Sequence, residues 1–301
     1  MKSLKGVFIP AVTPFFADGR LDLESFRYNC RAWGDTDVSG LMCLGTNGEA
    51  RMLNDSETIQ VIEAAAGTLP KEKCLIAGVG RESLYHTLEV IDRVQSKGIR
   101  LDYFSVLTPH YYKKLMDDRA LIEYYTRVAD FSGVPILLYC APTYANGVCV
   151  SIAALRVLAE HPNIAGIKDT SPDMMDAYLE AVGHRDDFTV MSGSINSYLA
   201  CVKGGGSGGI VSAANYFPRE CAKLDRLFRG GDVQGAEAYY LQLKALVKQT
   251  GARGGVAGVK CAMNAVGLRG GYPRLPILPM DETAAQEMRL AIEQDDTVRL
   301  K

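Results

Sequence analysis

Short apolar runs rich in β-branched residues recur along the chain, separated by longer stretches in which apolar residues repeat at helical spacing. The runs are GVFIPAV from Gly6, GLMCLGT from Gly40, CLIAGVG from Cys74, DYFSVLT from Asp102, PILLYCA from Pro135, IAGIKD from Ile164, FTVMSG from Phe188 and GGIVSAA from Gly208. Between them ETIQVIEAAAG, YHTLEVIDRVQSKG, ALIEYYTRVADFSG and SIAALRVLAEH predict helices, often with Gly just past the end. Strict alternation of strand and helix predicts a parallel sheet covered by helices. Eight strands over roughly 225 residues favour a closed (β/α)8 TIM barrel, α/β in class, over an open doubly wound sheet. Residues 1–225 are assigned to this barrel and 226–301 to a C-terminal helical extension carrying EAYYLQLKALVKQTG, VAGVKCAMNAVG and ETAAQEMRLAIEQ. These helices either pack on the barrel flank or contribute to subunit contacts. No low-complexity linker precedes them, so one compact unit is expected.

Composition narrows the function classes. The 33 basic and 35 acidic side chains are dispersed, with a formal charge of -2 and no basic block, so neither nucleic acid nor an anionic membrane is an expected partner. The opening MKSLKGVFIPAVTPFF is interrupted by Pro10 and Pro14 and reads as neither signal peptide nor membrane span. Cys30, Cys43, Cys74, Cys140, Cys149, Cys201, Cys221 and Cys261 never fall in a CxxC spacing and several lie in apolar runs. They read as core hydrophobes in a reducing cytoplasm, the expected location. His86, His110, His161 and His184 form no i, i+4 pair, so no metal site is expected.

Two glycine motifs are rejected on context. GGGSGG, from Gly204, satisfies GxGxxG and GxSxG, but both motifs need a preceding strand and a following helix. Here the order is reversed, which makes the stretch an αβ connection. GVGRES, from Gly78, lacks the third glycine.

Chemistry concentrates where a (β/α)8 barrel builds its active site, at the C-terminal strand ends. The second run ends in GTNGE, the fourth in TPHYYK, the fifth at Tyr139, the sixth at Lys168 and the eighth near Ile210. Lys168 is the least ordinary, because an ammonium group at the end of an apolar strand is costly to desolvate. Either its stem snorkels and the head reaches solvent, or the group is meant to be neutral and nucleophilic. Tyr139, one strand away, is either a rim aromatic or a proton-transfer partner. GTNGE also suits an ordinary βα turn.

Together these segments resemble the dihydrodipicolinate synthase and N-acetylneuraminate lyase family of pyruvate-dependent class I aldolases. The likeness is carried in order by GVFIPAVTPF, GTNGE, TPHYY, the YxxP from Tyr139, GIKDTS, GGIVSAAN and VKCAMNAVGL with RLPILP. It implies a TIM barrel with a helical extension, usually a homotetramer, and no cofactor beyond a covalent imine on Lys168. Lys168 resembles the lysine that condenses with the keto carbon of a 2-oxo acid. An unperturbed lysine is neutral about once in 2500 molecules at pH 7, and lowering its pKa to about 7 costs the ammonium form about 4.6 kcal/mol. Burial at the strand end would supply that shift. By the same likeness Tyr139 shuttles protons, Thr46 links it to Tyr111 from a neighbouring subunit, and the amides of Thr46 and Asn47 hold the substrate carboxylate. Ile210 and Tyr144 are the further substrate-lining candidates.

The likeness departs at three places. Synthases of this family typically carry Arg five residues after the catalytic tyrosine, where this chain has Tyr144. A phenol cannot replace a bidentate guanidinium. Asn47 and His110 also differ from the synthase pattern, and look more like 4-hydroxy-2-oxoglutarate aldolases. The first expectation is therefore an aldolase or lyase that joins or separates pyruvate and an aldehyde. The alternatives are 4-hydroxy-tetrahydrodipicolinate synthase, a sugar-acid dehydratase, or a non-catalytic barrel scaffold.

Overall fold

Every apolar run forms a strand. The computed structural model describes residues 2–183 and 185–295, so His184 lies outside the described residues. The strands are β1 Gly6–Pro10, β2 Gly40–Cys43, β3 Cys74–Gly78, β4 Tyr103–Leu107, β5 Ile136–Cys140, β6 Ile164–Asp169, β7 Thr189–Ser192 and β8 Gly208–Ile210. They follow one another in chain order as a closed parallel barrel. Nearly all their residues are buried, as continuous apolar runs require.

Between and after the strands come α1 Leu23–Gly34, α2 Asp55–Thr68, α3 Leu84–Ser96, α4 Asp118–Phe131, α5 Ile152–Leu158, α6 Met175–Val182, α7 Ile195–Lys203 and α8 Pro218–Arg229. Local chemistry sets their starts. Asp22, Ser83, Asp117, Ser151 and Ser194 each accept a backbone N–H of the first turn. Asn54 and Glu57 form a reciprocal capping box at α2. GGGSGG leads from the end of α7 into β8, its last two glycines opening the strand, as the connection expected from the order of its flanks. Three more helices follow: α9 Val233–Gln249, α10 Gly255–Ala265 and α11 Glu282–Glu293.

Residue 225, where the barrel was expected to give way to the extension, falls inside α8. By contacts the chain divides into two compact units, Met1–Lys5 with Cys74–Ile210, and Gly6–Lys73 with Val211–Lys301. The first unit holds β3 to β8 and α3 to α7. The second holds β1, β2, α1, α2 and everything after β8. Within it α8 packs on β1 and α9, and α11 packs on α9 and α10. Leu243 on α9 and Met288 on α11 are buried, and these two helices are in contact.

Candidate active site

Lys168 and Tyr139 are register partners on β6 and β5. The same row continues to Leu107 on β4, Met191 on β7 and Gly208 on β8. Partners in a row share one face of a sheet. Which face follows from the next residue, Cys140, whose Sγ meets the hydroxyl of Tyr178 on α6 at 3.5 Å. Cys140 therefore looks toward the helices, and Tyr139 and Lys168 look toward the barrel interior. Two residues earlier, Gly166 lets β6 approach β7: a Cβ there would meet Thr189 O at 2.3 Å. Asp169 alternates to the outer face, where its carboxylate accepts from Ser171 N at 2.9 Å and Ser171 Oγ at 2.8 Å.

That alternation leaves the Lys168 amine in apolar surroundings. Lys168 is 3% exposed, and burial alone lowers its pKa from 10.5 to about 7. Its Nζ lies 4.2 Å from the centroid of the Tyr139 ring, over the π face. The phenol itself is 4% exposed. A large neutral fraction of this amine at pH 7 can attack a carbonyl carbon. The snorkelling alternative for Lys168 is excluded by its burial.

The loops after β4 and β5 are tied together. Thr108 Oγ1 donates to Val148 O at 3.3 Å, and Asn146 Nδ2 donates to His110 O at 3.4 Å. The backbone N–H groups of His110 and Tyr111 both donate to Glu82 Oε2, at 2.8 and 2.9 Å. Tyr111 is then 74% exposed, edge to face with Tyr112 at 5.0 Å between centroids. Tyr144 is 56% exposed on the β5 loop, whereas Ile210, ending β8, is fully buried. All five of these candidates belong to the first compact unit.

Thr46 and Asn47 belong to the second, in the loop after β2, and both are half-buried. Leu44 takes a left-handed conformation with φ 58° and Glu49 another with φ 51°, so the chain turns sharply at both ends of the loop. Glu49 N donates to Thr46 O at 3.0 Å. Asn47 Nδ2 donates to Ser212 Oγ at 2.7 Å, and Thr13 Oγ1 donates to Gly48 O at 2.7 Å.

Two buried charges of the second unit were given no role in the sequence reading, Glu49 and Lys260. The signal was available: Lys260 interrupts the apolar run VAGVKCAM much as Lys168 ends AGIK. Among the described residues no group of three or more His, Cys, Asp and Glu side chains could hold a metal ion, and no helix is long and apolar enough to cross a membrane.

Comparison with known proteins agrees with the barrel fold. The model of the dihydrodipicolinate synthetase family matches residues 3–295. A 4-hydroxy-tetrahydrodipicolinate synthase of Acidiphilium cryptum (strain JF-5) is 32% identical over 290 residues, covering 95% of this chain and 97% of the relative. A probable mitochondrial 4-hydroxy-2-oxoglutarate aldolase of Emericella nidulans is 30% identical over 288 residues, covering 93% and 91%. Among solved structures, a prophage protein of E. coli K12 belonging to the dihydrodipicolinic acid synthase family, in complex with pyruvate, superposes with a TM-score of 0.86 at 27% identity. That match covers 97% of this chain and 98% of the other.

Proposed function

We propose that this chain, which belongs to the dihydrodipicolinate synthetase family and is one of its carbon–carbon lyases, releases pyruvate from a 4-hydroxy-2-oxo acid through an imine on Lys168. The observation that carries the reading is the buried Lys168 amine, lowered to about 7 by desolvation and set over the Tyr139 ring. The amine attacks the keto carbon, and the carbinolamine loses water to leave a protonated imine. A base takes the proton of the C4 hydroxyl, the C3–C4 bond breaks, and its electron pair moves into the imine as an enamine while an aldehyde departs. Protonation at C3 and hydrolysis of the imine return pyruvate and free lysine. Tyr139 carries the protons of these steps.

Thr46 and Asn47 hold the substrate carboxylate through their amides, and Ile210 and Tyr144 contact the rest of the molecule. Tyr111, exposed in the isolated chain, serves the site of a neighbouring copy in a homotetramer. The reaction needs no cofactor beyond the imine and takes place in the cytoplasm. The barrel and the helical extension function as one catalytic body.

A second reading, 4-hydroxy-tetrahydrodipicolinate synthase, is favoured by the activity in the name of the relative from Acidiphilium cryptum. Against it stands Tyr144, a neutral and largely exposed side chain where a synthase would present a guanidinium. The test is mass spectrometry after incubation with pyruvate and borohydride, followed by turnover of 4-hydroxy-2-oxo acids and of pyruvate with aspartate semialdehyde. A reduced adduct on Lys168 with cleavage of the hydroxy-oxo acids supports the first reading. Condensation with the semialdehyde alone supports the second, and no adduct with any 2-oxo acid would sink both.

A further inference from the structure

Beneath the loop after β2, within the same compact unit, lies a buried ion pair. Lys260 on α10 and Glu49 are each 1% exposed in their side chains, with Nζ and Oε1 2.5 Å apart. The ammonium group donates to Thr13 O at 2.8 Å and Tyr272 O at 2.7 Å. Two of its protons therefore meet backbone carbonyls, while its contact with Glu49 Oε1 is an ion pair and that oxygen accepts no hydrogen bond among the described residues. The second carboxylate oxygen of Glu49 accepts from Arg274 N at 2.8 Å. The Arg274 guanidinium in turn bonds Glu57 at 2.7 and 2.8 Å and caps Gly19 O and Met52 O.

Packing alone does not call for this arrangement. Burial lowers the Lys260 pKa to about 8 even though Glu49 opposes the shift, so desolvation outweighs the attraction. Apolar residues of similar volume are often neutral or stabilising replacements for such a pair. What the pair adds is direction, and it is directed at one turn. Thr13, whose carbonyl accepts from Lys260, grips Gly48 O with its hydroxyl. Glu49 holds Thr46 O through its own N–H. Gly48 leaves no slack, since a Cβ there would meet Leu44 N at 2.9 Å and Ala11 O at 3.0 Å.

We propose that Glu49 and Lys260 are positioning residues that hold the backbone amides of Thr46 and Asn47 in the orientation that receives the substrate carboxylate. This rests on the reading of that turn as the carboxylate site. Oriented amides recognise an anion only while their direction is fixed. The ion pair anchors them from α10 and from the strand of chain at Tyr272 and Arg274, more than 200 residues away in sequence.

The experiment compares two ligands in one assay, borohydride trapping on Lys168 by pyruvate and by methyl pyruvate, which lacks the carboxylate charge. In the double variant Glu49→Met with Lys260→Met, the pyruvate concentration for half-maximal trapping is expected to rise about tenfold or more. That for methyl pyruvate is expected to stay unchanged. Glu49→Gln keeps the shape and loses the charge, and is expected to show the same selectivity with a several-fold rise, which secures the test if the double variant does not fold. An unchanged pyruvate dependence in a folded variant overturns the proposal, as does an equal rise for both ligands, which would mean general loosening. Absence of trapping in the unaltered protein would overturn the catalytic reading and this proposal together.

Discussion

Lys168 Nζ stands 4.2 Å over the ring centroid of Tyr139, its register partner on the adjacent strand. The arrangement puts the proposed nucleophile against the π face of the group proposed to move its protons. An ammonium ion there would gain a cation–π contact, yet burial still lowers the pKa to about 7. Desolvation is the cause of the shift, and it favours the neutral amine.

Stability should record that cost. The folded pKa of Lys168, about 7, lies below the ordinary 10.5, so the unfolded chain holds the proton more tightly. The penalty is fully present below pH 7 and fades as pH rises toward 10.5, which makes stability increase across this window. Lys168→Met is expected to be more stable at neutral pH by on the order of 4 kcal/mol. It should also lose part of the upward slope between pH 7 and 9, to which Lys260, lowered to about 8, contributes as well. Urea unfolding of both proteins from pH 6 to 9, below the range in which the buried cysteines oppose the trend, checks this.

Imine formation should follow the same titration. The rate of borohydride trapping by pyruvate is expected to rise through a midpoint near pH 7. A midpoint above pH 9 would mean an ordinary amine. Lys168→Arg should trap nothing, since a guanidinium stays charged.

Tyr139→Phe keeps the ring under the amine and removes the proton carrier. It is expected to retain a trappable Lys168 while kcat for pyruvate release falls about 10²–10⁴-fold. Parallel measurement of adduct stoichiometry and turnover separates the two effects.

Tyr144→Arg restores a fork of donors on the β5 loop. Its expected effect is a lower KM for aspartate semialdehyde in condensation with pyruvate, by about tenfold, the scale of one charge-assisted hydrogen bond of roughly 1.5 kcal/mol. Steady-state kinetics of the variant and the unaltered protein against that aldehyde decide it.

Tyr111, Tyr112 and Leu115 expose 74%, 66% and 68% of their surface in the isolated chain. Sedimentation velocity is expected to give a tetramer, and dilution that dissociates it should lower activity per chain. A fully active monomer would remove Tyr111 from the proposed site.

Much of this was legible in the sequence because it follows from local periodicity. Continuous apolar runs separated by amphipathic stretches dictate buried parallel strands and covering helices, and the alternation of eight pairs sets the barrel. The strand ends then name Lys168 and Tyr139, since inward and outward positions follow from a period of two. Even the direction of the Lys168 shift was implied, because an apolar strand end penalises charge wherever it is buried. What the sequence could not settle depends on groups far apart along the chain. That α8 continues across residue 225 reflects packing of its apolar face on β1 and α9. That Lys260 meets Glu49 rather than water depends on α10 reaching a turn more than 200 residues earlier. A lysine in an apolar run looks the same whether it becomes a free amine or half of an ion pair. Only the tertiary structure supplies the partner, and with it the difference between Lys168, whose shift comes from desolvation alone, and Lys260, whose carboxylate neighbour pulls against it.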